Sequence, residues 1–255
     1  MSHFSSCVAC VALFISLCCT VLISAASAVG EEGRNAISAL VEKAEEATRQ
    51  GDSKRAVELL TQVIERSDDN AGIRRWRGRE RFRSGDVDGS IEDFDRVVEL
   101  QPQLEKTLWE RGISHYYAKK YDDGAKQYAL YQTYHDADVE NAIWRYLCVA
   151  RSKNVKQARE TILPIQGDTR VPMMEIYQLY QGKLKPEDVM SAATAGEPSD
   201  ADLNRRLFYA HLYLGLYHES QGDEKAAEKH ISAAVKHPIG HYMHDVARVH
   251  LDLIK

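Results

Sequence analysis

Residues 71–104 read AGIRRWRGRERFRSGDVDGSIEDFDRVVELQPQL, and this stretch decides the fold. Its second half places Ser90, Phe94 and Val97 on one helical face, and Pro102 stops the helix. Gly85 supplies the turn before that helix, and Asp86 caps the helix N-terminus. The same landmarks recur 34 residues apart: Gly51 with Gly85, Gly78 with Gly112, Ala56 with Ser90 and Gly124, Leu60 with Phe94 and Tyr128. Small residues return where two helices must touch, and large apolar ones where a pocket must be filled. Ile37, Ala71 and Glu105 therefore open three repeats, 37–70, 71–104 and 105–138. A fourth lies at about 208–241, where Gly215, Gly222 and Ala227 keep the spacing of Gly78, Gly85 and Ser90.

Between 139 and 207 the period fades but the helical pattern does not. VENAIWRYLCVARSKN and VKQARETILPI read as a shortened helix pair, and three more helices follow, punctuated by Pro164, Gly167, Gly182, Gly196 and Pro198. Residues 242–254 form a final capping helix, which a stack of repeats needs so that its last apolar face is not left in water. The expected fold is all-α: a helix–turn–helix solenoid with divergent central helices over 139–207 and a fourth repeat plus cap over 208–255.

The period of 34, with its small residue, aromatic and late proline, resembles the tetratricopeptide repeat (TPR). The order of elements, with Trp144, Tyr146-Leu147 and Lys156-Gln157-Ala158-Arg159-Glu160 in the divergent pair, is similar to the bacterial NlpI-type envelope TPR lipoproteins. That resemblance implies a helical adaptor, often a homodimer, that docks proteases and cell-wall hydrolases.

Residues Cys7 to Ser24 carry no charge, and Ala26-Ser27-Ala28 offers small residues to a signal peptidase. Residues 1–28 are read as a signal peptide cut after Ala28, with an uncleaved membrane anchor as the alternative. The mature chain is expected in the periplasm or cell envelope. No lipidation motif fits, since Cys18 follows Leu17 and Cys19 follows Cys18. Four of the five cysteines lie in this leader, so the mature chain keeps only Cys148, read as a small buried residue, and forms no internal disulfide. A net charge of −5 and a pI near 6.1 speak against nucleic acid as a partner.

Arg75, Arg79 and Arg83 fall at i, i+4 and i+8, one stripe of a helix. The TPR resemblance implies that the first helix of each repeat turns fixed positions toward a ligand groove. In repeat two these include Arg75, Arg79, Phe82 and Arg83; in repeat three they include Lys106, Trp109, Tyr116 and Tyr117. A basic, aromatic groove suits other proteins or peptides, through acidic segments or a C-terminal carboxylate. The competing reading is a solvated face in which Glu80, Glu92 and Asp93 pair with the arginines. Arg74, Arg77 and Arg81 also fall where the repeat wants apolar groups, which leaves open a register one residue off, with Ile73 and Trp76 packing.

Ten histidines raise the question of a metal. His237, His241 and His244 are close in sequence, and His211 and His218 share a helix face. Pro238 and Gly240 break the helix that would align His237 with His241, which leaves His241, His244 and Asp245 able to converge, but surface or capping histidines are the expected reading. No phosphate loop, nucleophile elbow or HExxH is present. The expectation is a noncatalytic adaptor or scaffold without metal or cofactor. A structural subunit of a secretion or cell-wall assembly is the alternative, and a metal-binding or enzymatic protein ranks below it.

Overall fold

The structure, a computed structural model, describes residues 30–67 and 69–254. The expected leader and its expected cleavage after Ala28 lie outside the described residues. The chain divides into two compact units, Met1–Asp69 and Asn70–Lys255.

The first unit holds α1 (residues 30–49) and α2 (Ser53–Arg66). Leu40, Ala44 and Ala47 of α1 and Ala56, Leu59, Leu60 and Val63 of α2 are buried. Gly51 turns the chain at φ 74°, and the Asp52 carboxylate accepts from the Arg55 amide to cap α2.

The second unit begins with α3 (Ala71–Arg83) and α4 (Val87–Leu100), then a 3₁₀ turn at Pro102–Thr107. Next come α5 (Trp109–Tyr117), α6 (Tyr121–Gln132), α7 (Val139–Ser152) and the short α8 (Val155–Glu160). After an irregular stretch the chain forms α9 (Met173–Tyr180), α10 (Pro186–Thr194), α11 (Asp200–Ser220), α12 (Glu224–Ala234) and α13 (Tyr242–Ile254). No strand occurs among the described residues.

The repeat logic is physical. Gly51, Gly85 and Gly222 all take positive φ, and each is followed by an aspartate (Asp52, Asp86, Asp223) that caps the next helix. Glycine is favoured there because a Cβ makes the left-handed conformation costly. Repeat three departs from the device: Lys119 takes φ 60°, and Lys120 gives α6 no side-chain cap.

In three helix pairs, α3/α4, α5/α6 and α11/α12, a glycine lets one large side chain close in. A Cβ on Gly78 would lie 3.1 Å from Phe94, on Gly112 2.6 Å from Tyr128, and on Gly215 2.6 Å from Ile231. Each partner is 16 residues further on, so one close approach is built three times.

The core centres on α7, where Ala142, Ile143, Trp144, Tyr146, Leu147 and Cys148 are all buried. Burial raises the Cys148 thiol, its first and largest influence, and leaves it an apolar filler rather than a nucleophile. The irregular stretch after α8 is tied down in two places. The Tyr177 hydroxyl donates to the Leu163 carbonyl and accepts from the Ile165 amide. Arg170 spans Asp138, Glu140 and Asp168 with contacts of 2.6–2.8 Å.

The C-terminal helix does more than cover the last repeat. It packs on α12 and also reaches back to α3. The expected start of the fourth repeat, position 208, lies inside α11, a single helix of 21 residues.

Candidate functional site

The segment RRWRGRERFR, with six arginines, forms most of α3, and the structure sorts those arginines by carboxylate partner. Arg74, Arg77 and Arg81 converge on the fully buried Asp93 of α4. Arg77 binds it in fork fashion, Nε to Oδ2 at 2.8 Å and Nη2 to Oδ1 at 2.7 Å. These arginines do stand at the helix–helix contact, where the repeat usually puts apolar groups. One buried carboxylate is what makes that tolerable, since a buried charge is costly unless paired.

Arg75 and Arg79 point to the next helix. Both donate to Glu110 of α5, whose side chain is wholly buried. Arg75 reaches its two oxygens at 2.8 and 3.0 Å, and Arg79 Nε reaches Oε1 at 2.8 Å. Arg83 donates to Asp245 of α13 at 2.8 Å and also pairs with Glu80. Burial works against the Arg83 charge, but Asp245 and Glu80 outweigh it and hold the guanidinium above its ordinary pKa.

The aromatic half of the expected groove is occupied by the chain itself. Tyr242, the first residue of α13, sits between Phe82 and Trp109, with ring centroids 5.7 and 5.6 Å away. The guanidinium carbons of Arg79 and Arg83 lie 5.7 and 5.3 Å from the Tyr242 ring. Further along α13, His250 Nδ1 is 3.0 Å from the Tyr117 hydroxyl. Burial, with Arg151 adding to it, lowers His250 to about 4, so the ring is neutral and Nδ1 can accept the tyrosine proton.

Of the eight residues expected at the groove, Phe82 and Tyr116 are therefore buried, and Tyr117 is committed to α13. Tyr116 stands edge-on to Trp144 at 5.3 Å. Trp109 is half-buried beneath His241, which stacks on it at 5.9 Å. Lys106 is exposed, its ammonium 5.8 Å from the Tyr134 ring. Arg75 and Arg79 keep 30% and 36% of their side chains open to solvent. The expected surface thus survives as an arginine rim around Glu110, edged by Trp109 and by α13.

Sequence reasoning missed Glu110, Tyr242, Asp245 and His250. The signal available was the i, i+3, i+8 placement of the last three on one face of α13. The histidines group differently from the sequence order. His211 and His230 place their Nδ1 atoms 2.9 Å apart, His218 stacks on His230, and His237 stacks on His211. Among the described residues no group of three His, Cys, Asp or Glu is placed to hold a metal ion.

These features define a helical-repeat protein whose successive first helices build a charged, aromatic face. Residues 41–105 match the family model described as tetratricopeptide repeat, so that stretch of the chain carries tetratricopeptide repeats. A tetratricopeptide repeat protein of Parabacteroides merdae shares the fold at 14% identity and a TM-score of 0.52, covering 86% of this chain and 84% of that one. MamA of Desulfovibrio magneticus, from residue 41 to its end, aligns at 14% identity and a TM-score of 0.49, covering 78% of this chain and 93% of that one.

Proposed function

We propose that the protein is a noncatalytic scaffold of the cell envelope that binds other proteins through the face formed by α3, α5 and α13. The observation that carries the reading is that Arg75 and Arg79 share one carboxylate, Glu110, and stay about one-third exposed. Two guanidiniums on one carboxylate leave a positive charge unspent. Planar donors beside the half-buried Trp109 suit an acidic segment or a chain's C-terminal carboxylate. The fold supports a binding role, because tetratricopeptide repeats stack to present extended surfaces. The charge-free stretch over residues 7–24 and the likeness to NlpI-type envelope proteins support the location.

The test is capture of partners from an envelope extract by the mature chain, at low salt, with the bound proteins identified by mass spectrometry. Arg79→Ala, which leaves Arg75 on Glu110, is expected to reduce capture at least fivefold while circular dichroism stays unchanged. Partners retained in full by that variant would place binding elsewhere, as expected of a structural subunit held by its outer helices.

A further inference from the structure

A second site lies deeper than the arginine rim, where α5, α6 and α7 meet the start of α13. It is a cavity of about 160 Å³ lined by Trp109, Tyr128, Tyr131 and Trp144, with Asp138, Glu140, Asn141 and the Arg170 guanidinium also on its wall. A water's share of liquid volume is about 30 Å³, so this space takes roughly five water-sized groups.

Three buried polar atoms of the wall have no hydrogen-bond partner: Asn141 Oδ1, the Tyr128 hydroxyl and Trp144 Nε1. The orientation of Asn141 is set by its amide nitrogen, which donates to Gln132 Oε1 at 2.8 Å. Its oxygen is therefore a free acceptor, and the Tyr128 oxygen is another. Buried groups of this kind are rarely left unsatisfied.

The charges show what is missing. Arg170 is the one guanidinium against three carboxylates, Asp138, Glu140 and Asp168. On the other side Arg79 is held by Glu110, which it shares with Arg75. His241, also on the wall, has its pKa lowered by burial and then by Arg170 and Arg79, which works against its charged form. Glu140 is pushed up to about 7 by burial and by Asp138, even though Arg170 and the Tyr213 hydroxyl both bind it. Aromatic faces attract cations through their quadrupoles, and four of them line this space.

We propose that this cavity binds a primary alkylammonium, the side chain of a lysine on the docked partner segment. The alkyl chain lies between the Trp109 and Tyr131 rings. The ammonium donates to Asn141 Oδ1 and the Tyr128 oxygen, within the field of Asp138 and Glu140. The Trp144 N–H is a donor and takes no part; a carbonyl of the incoming segment or a water serves it. The source of the cation rests on the protein-binding reading above, but the chemistry of the pocket does not.

The test uses the mature full chain at fixed ionic strength, with binding followed by calorimetry and by tryptophan fluorescence, because Trp109 and Trp144 both line the cavity. Probes are n-butylammonium, n-butyrate and n-butanol, then Nα-acetyl-lysine N-methylamide and glycine N-methylamide to separate a lysine side chain from a chain N-terminus. Saturable binding is expected for n-butylammonium and the lysine amide, with neither n-butyrate nor n-butanol binding. Asp138→Asn keeps a residue able to cap α7 while removing one charge, and is expected to weaken binding at least tenfold. Tyr131→Leu, at a half-buried position, provides an independent second variant with the same expected loss. Binding of n-butyrate instead, absence of saturable binding by n-butylammonium, preference for the glycine amide, or full affinity in either folded variant would overturn the proposal. None of these arms touches Arg75 or Arg79, so failure here and failure of the outer face are read separately.

Discussion

Single residues show where the repeat is well made and where it is not. Gly51, Gly85 and Gly222 reach positive φ without strain, whereas repeat three asks Lys119 to hold φ 60°. A left-handed conformation costs a non-glycine residue about 1–2 kcal/mol, partly offset because glycine loses more freedom on folding. Lys119 is exposed. Lys119→Gly is therefore expected to raise the unfolding free energy by about 0.5–1 kcal/mol. A urea titration read by circular dichroism measures this, and a lower midpoint would refute it. The arginines of α3 make the opposite point. Arg77 is almost wholly buried, yet Asp93 meets it with a two-pronged bond, so the helix contact is polar without leaving a bare charge.

At the scale of elements, α13 is the piece whose importance the sequence concealed. Tyr242 is 6% exposed and touches Phe82, Trp109, Arg79 and Arg83, while Asp245 takes Arg83 and His250 meets Tyr117. Truncating a buried aromatic side chain costs about 3–5 kcal/mol. Tyr242→Ala is expected to lose that much stability and to make the α13 amides exchange far faster in hydrogen-exchange mass spectrometry, with those of α7 less affected. Unchanged protection over residues 242–254 would show that the helix is held by α12 alone. The helices themselves were legible: the glycine–aspartate turns, the glycine opposite an aromatic, and the punctuated stretch after 139 all mark local events within a few turns of chain. Pairings across long separations were not. Asp93, Glu80 and Glu92 could be named as partners for the arginines because they lie in the same repeat. Glu110 sits 35 residues from Arg75, one repeat on and so in the next first helix, while Asp245 sits 162 residues from Arg83, where no period of 34 brings them together. The Arg170 cluster escaped because Asp138 and Glu140 lie 32 and 30 residues before the arginine, at the start of the divergent segment where the repeat pattern fades.

Across the whole molecule, buried histidines make stability depend on pH. His115, His230 and His250 are each lowered to about 4, first by burial, then by Arg111, His211 and Arg151 respectively. Their folded pKa lies below the unfolded value near 6.5, so between pH 6.5 and 4 the unfolded chain takes up the proton first, and stability falls as pH drops through that window. Glu140 acts the other way. Its folded pKa near 7 exceeds the unfolded value near 4.5, so it favours the folded state as pH falls from 7 to 4.5. Glu219 is raised by burial as well, but His211 and His241 are lowered beside the other three. Five histidines against two glutamates give a net loss on acidification, read as a falling thermal midpoint between pH 6.5 and 4. His115 isolates the cause, because it is 4% exposed and neither ring nitrogen has a partner. Replacing an unsatisfied buried polar ring by an aliphatic side chain is close to neutral or favourable. His115→Leu is expected to match the parent at pH 7, within about 1 kcal/mol, and to flatten the acid limb by one proton's share. A variant that keeps the full slope would assign the acid sensitivity to the other histidines, and a parent with no slope at all would mean that none of the three stays neutral in the folded chain.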